Sequence, residues 1–328
     1  MKNAVRVAIV GLGKVAWRFD EEPGRAVIWT HLGAYEALAG EVEIVGACDA
    51  LAEARAAFAV KRPNIPVFDD IAKMMAAADP EVISVCTPVD THRQIVEAIA
   101  SSASANVKAI WCEKPLAASV GDAEAAVAAC ERRGVVLVVS HVRRWSSLWR
   151  RFAARLANGE IGILRNLRVS MPNRLWSIGS HAVDLALMLG GNVRQVVCLD
   201  VPALAEDGEP ARPALLAFQS GAYAAVQVTG RKDRLIVEVE AIGDKGRLRA
   251  REDTGEITFE PFEASRRFSG YFEPGAAQSE KLATLTEESP FVAAAAEVVA
   301  LAREPSRPAT CSGREALATM RVLDQLAA

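Results

Sequence analysis

Apolar and polar residues alternate in two different ways along the chain, and this change divides it into two parts. The first part has short apolar runs separated by alanine-rich stretches of helical periodicity. This order predicts parallel strands joined by right-handed crossover helices. The predicted strands are VRVAIV (5–10), VEIVGACD (42–49), EVISVCT (81–87), AIWCE (109–113) and, after a helix from Ser119 to Arg133, VVLVVS (135–140).

The second part has longer runs in which apolar and polar residues alternate one by one, which is typical of antiparallel strands. Turns are predicted at Ser220-Gly221 and from Gly243 to Gly246. The runs are LLAFQSGAYAAVQVTG (215–230), LIVEVEAIGDKGRLRARE (235–252) and EITFEPF (256–262). A loop rich in Gly, Pro and aromatic residues (269–278) precedes two predicted C-terminal helices, Pro290–Arg303 and Gly313–Leu326.

These patterns predict an α/β protein of two domains. Residues 1–118 are expected to form a doubly wound parallel sheet that binds a dinucleotide. Residues 119–328 are expected to form an α/β domain with a largely antiparallel open sheet, which binds substrate and mediates oligomerisation.

The bulk composition excludes several classes of protein. Of the 328 residues, 51% are hydrophobic and 24% are charged, and the net charge is -3. This composition predicts a folded chain without a basic field for nucleic acid or an anionic membrane. We therefore expect small molecules as partners.

Location and metal content are predicted from further absences in the sequence. The first ten residues show no leader pattern, and the longest uncharged run (134–142) is too short to span a bilayer. We predict a cytoplasmic protein. The cysteines have no paired spacing, which favours small core residues in a reducing compartment and no metal site. They are Cys48, Cys86, Cys112, Cys130, Cys198 and Cys311.

The stretch GLGKVA (11–16) follows the first strand directly and begins a helix. Small residues at its first, third and sixth positions let backbone N–H groups approach a pyrophosphate at a helix N-terminus. The alternative is a tight turn between strand and helix without a ligand. The cofactor contacts predicted here are Gly11, Gly13, Lys14, Val15 and Ala16.

Asp49 ends the second strand, where a carboxylate can accept hydrogen bonds from the adenosine ribose. The alternative is an ordinary exposed aspartate. Ala50 and Leu51 follow, without an adjacent arginine to bind a 2′-phosphate. The sequence therefore favours NAD as the cofactor, with NADP still possible.

The interval between the glycine loop and Asp49 exceeds the usual spacing of about 20 residues. The extra segment, RFDEEPGRAVIWT (18–30), contains Pro23-Gly24. We predict that it breaks the first helix, which resumes with Thr30 as its N-cap. His31 would then lie near the cofactor, where it contacts substrate or has a purely structural role.

Three motifs behind the glycine loop, TPVDTH (87–92), CEKP (112–115) and SIGSHAVD (177–184), resemble those of the Gfo/Idh/MocA family of NAD(P)-dependent oxidoreductases. GREAL (313–317) resembles that family's last helix. The resemblance implies a Rossmann domain and an α/β domain whose open sheet forms a subunit interface, hence a homodimer or homotetramer. The broken first helix resembles members that act on surface polysaccharides and other sugars.

Lys114 is predicted at the carboxyl end of a parallel strand, where doubly wound sheets bind ligands. The resemblance implies that it reaches the substrate hydroxyl beside the nicotinamide. A hydride leaves carbon as that hydroxyl loses its proton, so a nearby cation stabilises the alkoxide and its amine can relay the proton. The alternative is an exposed ion pair between Lys114 and Glu113.

The same resemblance places Thr87, Pro88 and His92 against the cofactor. The alternative for these residues is a strand end, a helix cap and a surface histidine. Glu113 and Lys114 of the Glu-Lys-Pro motif are also predicted as cofactor contacts.

His181 is the second predicted catalytic residue, in the first turn of a helix from Gly179 to Gly190. Asp184 shares its helix face and could fix the histidine tautomer. The family commonly has an acid where this chain has Ser177, which can bond a sugar hydroxyl but cannot act as a carboxylate base. Either His181 and Lys114 suffice, the substrate differs, or catalysis has been lost.

From His141 to Asn158 the chain has five arginines, two tryptophans and no acid. A cluster of guanidinium groups needs anions or a solvated helix face. The resemblance places Arg144 near the active-site cleft. We therefore predict that Arg144 contacts a substrate bearing phosphate or carboxylate, such as a nucleotide sugar or a uronic acid.

The sequence thus predicts an NAD(P)-dependent oxidoreductase that acts on a secondary alcohol or ketone of a sugar derivative. One alternative is a non-catalytic sensor of a dinucleotide or sugar. Another is an oxidoreductase for a cyclitol, an imine or another non-sugar substrate.

Overall fold

The computed structural model describes residues 4–102, 106–172, 175–199, 212–228 and 235–327. Its contacts divide the chain into two units. The first contains the chain up to Trp145 together with Ser289–Met320, and the second contains Ser146–Glu288 together with the chain from Arg321 onwards.

The described residues of the first unit form a six-stranded parallel sheet of order β3-β2-β1-β4-β5-β6. This order is that of the doubly wound fold, which confirms the predicted fold class. The middle strands are buried along most of their length because helices cover both faces. The strands are β1 (Val5–Val10), β2 (Val42–Cys48), β3 (Val67–Phe68), β4 (Val82–Val85), β5 (Ala109–Cys112) and β6 (Val136–Val139).

Helices connect these strands, and their ends follow local signals in the sequence. The last of them begins at the cap Ser119, whose hydroxyl accepts from Asp122 N, and ends at Gly134, which has a φ of 67°. The helices are α1 (His31–Glu36), α2 (Ala52–Lys61), α3 (Ile71–Ala78), α4 (Val89–Ser101) and α5 (Val120–Arg133).

The second unit contains two helices and a nine-stranded mixed sheet in its described residues. The sheet order is β14-β13-β12-β11-β7-β10-β9-β8, and β15 pairs with β13. Only β7 and β10 pair in parallel among these strands, so the sheet is largely antiparallel as predicted. The elements are α6 (Ser147–Ala157), β7 (Leu164–Met171), α7 (Ser180–Gly190), β8 (Val193–Cys198), β9 (Ala214–Phe218), β10 (Tyr223–Val228), β11 (Glu238–Gly243), β12 (Gly246–Arg251), β13 (Glu256–Ala264), β14 (Phe272–Pro274) and β15 (Gln278–Lys281).

One face of this sheet packs against α6 and α7, and the other carries charged side chains. Along β12, Leu248 and Ala250 are buried, whereas the arginines that alternate with them, Arg247, Arg249 and Arg251, point the other way. Glu260 accepts from Arg247 at 2.6 Å and from Arg249 at 3.1 Å. The hydrogen bond from Arg247 lowers the pKa of Glu260. The open face is therefore a set of cross-strand ion pairs.

Two last helices, α8 (Pro290–Arg303) and α9 (Gly313–Ala327), end the chain. Helix α8 lies in the first unit, where it packs against α1 and β5. The predicted ranges 1–118 and 119–328 differ from the contact units, since α5 and β6 complete the parallel sheet and Ser289–Met320 returns to it.

The predicted strands 215–230 and 235–252 include residues 229–230, which lie outside the described residues. The predicted loop 269–278 contains β14 and the first residue of β15. No helix in the described ranges is both long and apolar enough to cross a membrane.

Candidate active site

Gly11 occupies a backbone position that requires glycine. Its φ is 87°, and an added Cβ would lie 2.7 Å from the backbone of Cys86 and Thr87. Its N–H donates to Cys48 O at 2.8 Å, which joins the loop after β1 to the end of β2. By contrast, a Cβ added at Gly13 would have no atom within 4 Å.

Leu12, between the two glycines, is held on both sides of its peptide. Its N–H donates to Asp49 Oδ2 at 2.7 Å, and its carbonyl accepts from Trp17 Nε1 at 3.1 Å. The Trp17 indole is buried and contacts Phe58 edge to face, with 5.7 Å between ring centroids. Trp17 is not among the site residues predicted from the sequence, although a tryptophan in the first turn after a glycine loop is a visible signal.

A cavity of about 890 Å³ lies at the carboxyl ends of the parallel strands. Its lining comes from the glycine loop and from the ends of β2 and β4. The predicted cofactor residues in this lining are Gly11, Gly13, Asp49, Thr87 and Pro88. Those that do not line it are Lys14, Val15, Ala16, His92, Glu113 and Lys114.

The turn after β2 is fixed by two sets of hydrogen bonds. Asp49 Oδ1 accepts from Leu51 N at 2.8 Å, while its other oxygen binds Leu12. Arg55 Nη1 donates to the carbonyls of Asp49 and Ala50, both at 2.8 Å. The carboxylate of Asp49 therefore has a defined orientation at the cavity wall.

The first helix is interrupted as predicted, and the structure shows how. His31 N donates to Val15 O at 3.1 Å, and Leu32 N donates to Ala16 O at 2.9 Å. Each bond joins residues that are 16 positions apart in the sequence. Hydrogen bonds of an α-helix join residues four positions apart, so the separation equals this spacing plus twelve inserted residues. The α-helical hydrogen-bond pattern therefore continues across the insertion.

Asp20 anchors the inserted segment to α1. Its carboxylate accepts from Trp29 N at 2.6 Å and from the Thr30 hydroxyl at 2.5 Å. The Thr30 oxygen in turn accepts from Gly33 N at 3.0 Å, which confirms the predicted N-cap.

His31, the first residue of α1, is completely buried. Its Nε2 lies 3.0 Å from Glu113 Oε1, and its Nδ1 lies 3.0 Å from the Ser84 hydroxyl, which contacts the Tyr35 hydroxyl at 2.8 Å. A carboxylate only accepts, so Nε2 carries a proton and donates to Glu113. The ring has no exposed surface, so its predicted substrate contact has no support here.

Glu113 is kept ionised by its surroundings. Burial raises the pKa of its carboxyl, but the hydrogen bond and charge of His31 and the charge of Lys114 bring it below the ordinary value. Its other oxygen accepts from Lys114 N at 3.3 Å. Lys114 follows β5 at its carboxyl end, as predicted, and is part-buried beside this carboxylate.

His92 links the ends of two neighbouring strands. Its ring is buried, with Nε2 at 2.8 Å from Thr87 O and Nδ1 at 3.0 Å from Pro115 O. It thus positions the chain that follows β4 and the chain that follows Lys114. Its predicted contact with the cofactor has no support from this geometry.

Arg144 is also buried. Its Nη1 donates to Thr310 O at 2.9 Å and to Glu315 Oε1 at 2.6 Å, all within the first unit. The pair connects the arginine-rich stretch with the GREAL motif at the start of α9. The predicted substrate contact of Arg144 therefore has no support, because this guanidinium neutralises a carboxylate of its own chain.

In the second unit, a π-helical turn (Leu175–Gly179) continues directly into α7. Ser177 lies in this turn, and His181 lies in the first turn of α7 as predicted. His181 is 8% exposed and Asp184 is completely buried. Single π-turns occur frequently at functional sites, and the sequence carries no simple signal for them.

The sequence is similar to a family of oxidoreductases and to dehydrogenases of known activity. Residues 5–141 match a family described as an oxidoreductase family with an NAD-binding Rossmann fold. D-apiose dehydrogenase from Paraburkholderia graminis is 32% identical over 252 residues, which cover 68% of this chain and 64% of that protein. The match therefore spans less than two thirds of the relative's length.

Solved structures are similar over nearly the whole chain. A dehydrogenase from Chromobacterium violaceum has a TM-score of 0.78 at 18% identity and covers 99% of this chain and 95% of its own. WlbA dehydrogenase from Bordetella pertussis, crystallised with NADH and UDP-GlcNAcA, has a TM-score of 0.73 at 20% identity, covering 98% and 94%. At these identities the likeness shows a shared fold.

Proposed function

Because the chain belongs to the Gfo/Idh/MocA family of oxidoreductases, we propose that it is an NAD-dependent dehydrogenase or reductase of a sugar derivative. Hydride would pass between the nicotinamide and a secondary alcohol or ketone. The observation that carries this proposal is the cavity lined by Gly11, Gly13 and Asp49, with Lys114 at the end of a strand in the same sheet.

The residues around the cavity fit NAD. Gly11 allows the tight turn of the loop, Gly13 leaves open space where a pyrophosphate can approach the backbone, and Asp49 can accept from ribose hydroxyls. Acidic side chains also line the cavity wall and disfavour the 2′-phosphate of NADP, so we propose NAD as the preferred cofactor. These are Asp49, Glu53, Asp69 and Asp70.

Lys114 is proposed to handle the proton of the reacting hydroxyl. The bound nicotinamide supplies hydride acceptance or donation. Lys114 can stabilise the alkoxide by its charge and take or return the proton through its amine. The ionised, buried Glu113 beside it favours the charged form of the lysine by attraction.

His181 is proposed as the second group in proton transfer, with Asp184 on the same helix face to orient the ring. Ser177 is the remaining proposed substrate contact, whereas the predicted substrate contact of Asp184 has no support because this residue is completely buried. The π-turn before α7 supports a functional role for this segment.

We propose a sugar derivative as substrate because the relatives above include D-apiose dehydrogenase and an enzyme crystallised with a nucleotide sugar. An anionic group on the substrate stays part of the proposal, although Arg144 no longer supports it. A cyclitol or an imine is the second candidate class, since family members share the fold without sharing substrates.

We also propose a cytoplasmic homodimer or homotetramer. Five of the six cysteines are buried, and none of the six forms a disulfide bond within the described residues, which is typical of a reducing compartment. Burial raises the pKa of Cys48 to about 11 and that of Cys130 to about 12, so neither forms a thiolate at neutral pH. The open sheet face with alternating arginines and glutamates supports self-association.

The direct test is nicotinamide absorbance at 340 nm with NAD and a panel of neutral, phosphorylated, uronic and nucleotide-linked sugars. We expect turnover of one class, and its loss by a factor of at least about 100 in Lys114→Ala, as for removal of a general acid or base. Lys108→Ala is the matched control, because Lys108 is exposed just before the opposite end of β5.

Undiminished turnover in Lys114→Ala would reject the proposed role of Lys114. Tight NADH binding without turnover of any sugar would instead favour the second candidate class or a non-catalytic sensor. The serine at position 177, where the family commonly has an acid, is the observation that keeps the sensor under consideration.

A further inference from the structure

Arg18 lies where the inserted segment leaves the glycine loop. It is the first residue of a 3₁₀ helix (Arg18–Glu21), two residues beyond Ala16. Its exposed side chain lines the cavity together with Gly11 and Gly13. The sequence analysis did not assign it a role.

The charges around the cavity are unbalanced. Within the described ranges, its lining contains four acidic residues, and Arg18 is the one basic residue. A dinucleotide brings a pyrophosphate with two negative charges into this acidic environment. Backbone N–H groups at a helix start supply only part of the compensating positive charge.

Other basic side chains nearby have partners of their own. Lys14 Nζ lies 3.7 Å from a Glu22 carboxylate oxygen, and Lys14 does not line the cavity. Arg55 donates to backbone carbonyls, and Lys73 binds Asp69 at 3.0 Å. Arg18, in contrast, has no carboxylate or carbonyl partner in the part of the chain that the structure describes.

Trp17 holds the Arg18 guanidinium beside the phosphate loop. The guanidinium carbon lies 5.5 Å from the centroid of the Trp17 ring, within the range of a cation–π contact. The same indole donates to Leu12 O in the glycine loop. One buried ring therefore fixes both the loop and the cation.

We propose that Arg18 binds the pyrophosphate of the nicotinamide dinucleotide. A guanidinium presents parallel N–H groups that match two phosphate oxygens, a geometry that an ammonium lacks. The inserted segment thus contributes a cofactor contact in addition to the glycine loop. This inference rests on the proposed function only in that the ligand is NAD(H).

The test is fluorescence titration of the full chain with NADH, ADP-ribose and adenosine. Arg18→Gln is expected to raise the Kd for NADH and for ADP-ribose about tenfold, the size of one charge-assisted hydrogen bond. It should leave the Kd for adenosine unchanged, because adenosine has no phosphate. Arg18→Lys should recover part of the lost NADH affinity, because it restores the positive charge but not the parallel N–H groups of the guanidinium.

Arg25→Gln is the control variant in the same region. It removes a cation that pairs with Glu22 and does not line the cavity, so NADH affinity should change less than twofold. Lys14→Gln removes the cation that the sequence predicts as a cofactor contact, and its effect should be smaller than that of Arg18→Gln because Lys14 does not line the cavity. Raising the salt concentration from 0.05 to 0.5 M should weaken NADH binding more in the wild type than in Arg18→Gln. Salt screens the attraction between the Arg18 guanidinium and the pyrophosphate, and the variant lacks this contact.

An unchanged Kd for NADH in Arg18→Gln, or an equal loss for adenosine, would overturn the assignment. A larger effect of Lys14→Gln than of Arg18→Gln would overturn it as well. None of these titrations needs sugar turnover, so a failed assignment of Arg18 is distinguishable from a failed assignment of the enzyme reaction.

Discussion

At the scale of single residues, the His31–Glu113 contact changes how the Glu-Lys-Pro motif is understood. The sequence predicts a charged residue pair at the end of a strand, but not that a histidine 82 residues earlier would bond the glutamate. Such a contact depends on the packing of α1 against β5, and local sequence patterns do not carry it. The residue types were recognised, and their pairing was not.

The stability contribution of Glu113 should depend on pH. Because its pKa is lowered in the folded chain, ionised Glu113 stabilises the fold above its ordinary pKa, and this contribution is lost as the pH falls through the lowered value. His31→Leu removes the imidazole donor to Glu113 Oε1 and leaves that oxygen buried without it. We expect the free energy of unfolding at pH 7 to fall by about 3 kcal/mol.

Urea unfolding from pH 7 to pH 3 measures this effect, because the pH must fall below the ordinary pKa of Glu113 before the contribution is lost. The difference between wild type and His31→Leu should narrow as the pH falls, since protonated Glu113 no longer needs the bond. In the double variant with Glu113→Gln, the loss should be smaller than the sum of the single losses. A difference that stays constant with pH would contradict the ionised pair.

The two glycines of the loop should respond differently to alanine. Gly11→Ala places a Cβ against backbone at a φ of 87°, so we expect a loss of about 1–3 kcal/mol in the free energy of unfolding. Gly13→Ala meets open space and should unfold like the wild type while NADH binds more weakly. Thermal unfolding and NADH titration of both variants separate strain from ligand contact; equal unfolding of both would contradict this.

At the scale of elements, the inserted segment shows which features could be predicted from the sequence and which could not. The interval between the glycine loop and Asp49, with Pro23-Gly24 inside it, was sufficient to predict the break and the Thr30 cap. The bonds from α1 back to Val15 and Ala16 were not predictable, because they join residues separated by the insertion. The π-turn before α7 was missed because its residue types carry no simple signal for this backbone conformation.

Asp20 should be the main anchor of the inserted segment. Asp20→Ala removes the acceptor for Trp29 N and the Thr30 hydroxyl, and we expect a loss of about 1–2 kcal/mol in unfolding free energy. Thr30→Ala should cost about 1 kcal/mol, and the pair should be less than additive.

Urea unfolding measures these losses, and Glu22→Ala is the matched control. Glu22 is an acid in the same segment that forms exposed ion pairs with Lys14 and Arg25, so its removal should change stability by less than about 0.5 kcal/mol. A loss in Glu22→Ala as large as that in Asp20→Ala would refute the anchoring role.

At the scale of the whole molecule, the doubly wound parallel sheet was predicted from the alternation of strands and helices, and the family motifs located the loops at the strand ends. The predicted boundary at residue 118 did not anticipate that the chain returns to the first unit after Glu288. That return depends on long-range contacts, of which Arg144 with Glu315 is one, 171 residues apart. Arg144 belongs to a stretch of sequence that contains no acid, and it pairs with Glu315 near the other end of the chain.

Arg144 should therefore act on stability more than on binding. Arg144→Met removes the guanidinium that donates to Glu315 Oε1, while Ser312 still donates to the other carboxylate oxygen, and we expect the free energy of unfolding to fall by about 1–2 kcal/mol. The Kd for NADH should stay within twofold of the wild type. Urea unfolding with NADH titration checks both, and unchanged stability with weaker binding of anionic sugars would restore the substrate role predicted from the sequence.

The register of hydrogen bonds across the inserted segment has a consequence for protein engineering. His31 and Leu32 bond to Val15 and Ala16 with α-helical spacing across the inserted segment. These hydrogen bonds therefore do not restrict the length of the segment. A segment of another size or chemistry could be grafted at this position, close to the cofactor cavity and with the helix intact. Segments with different functions could therefore be inserted at this position without changing the Rossmann sheet.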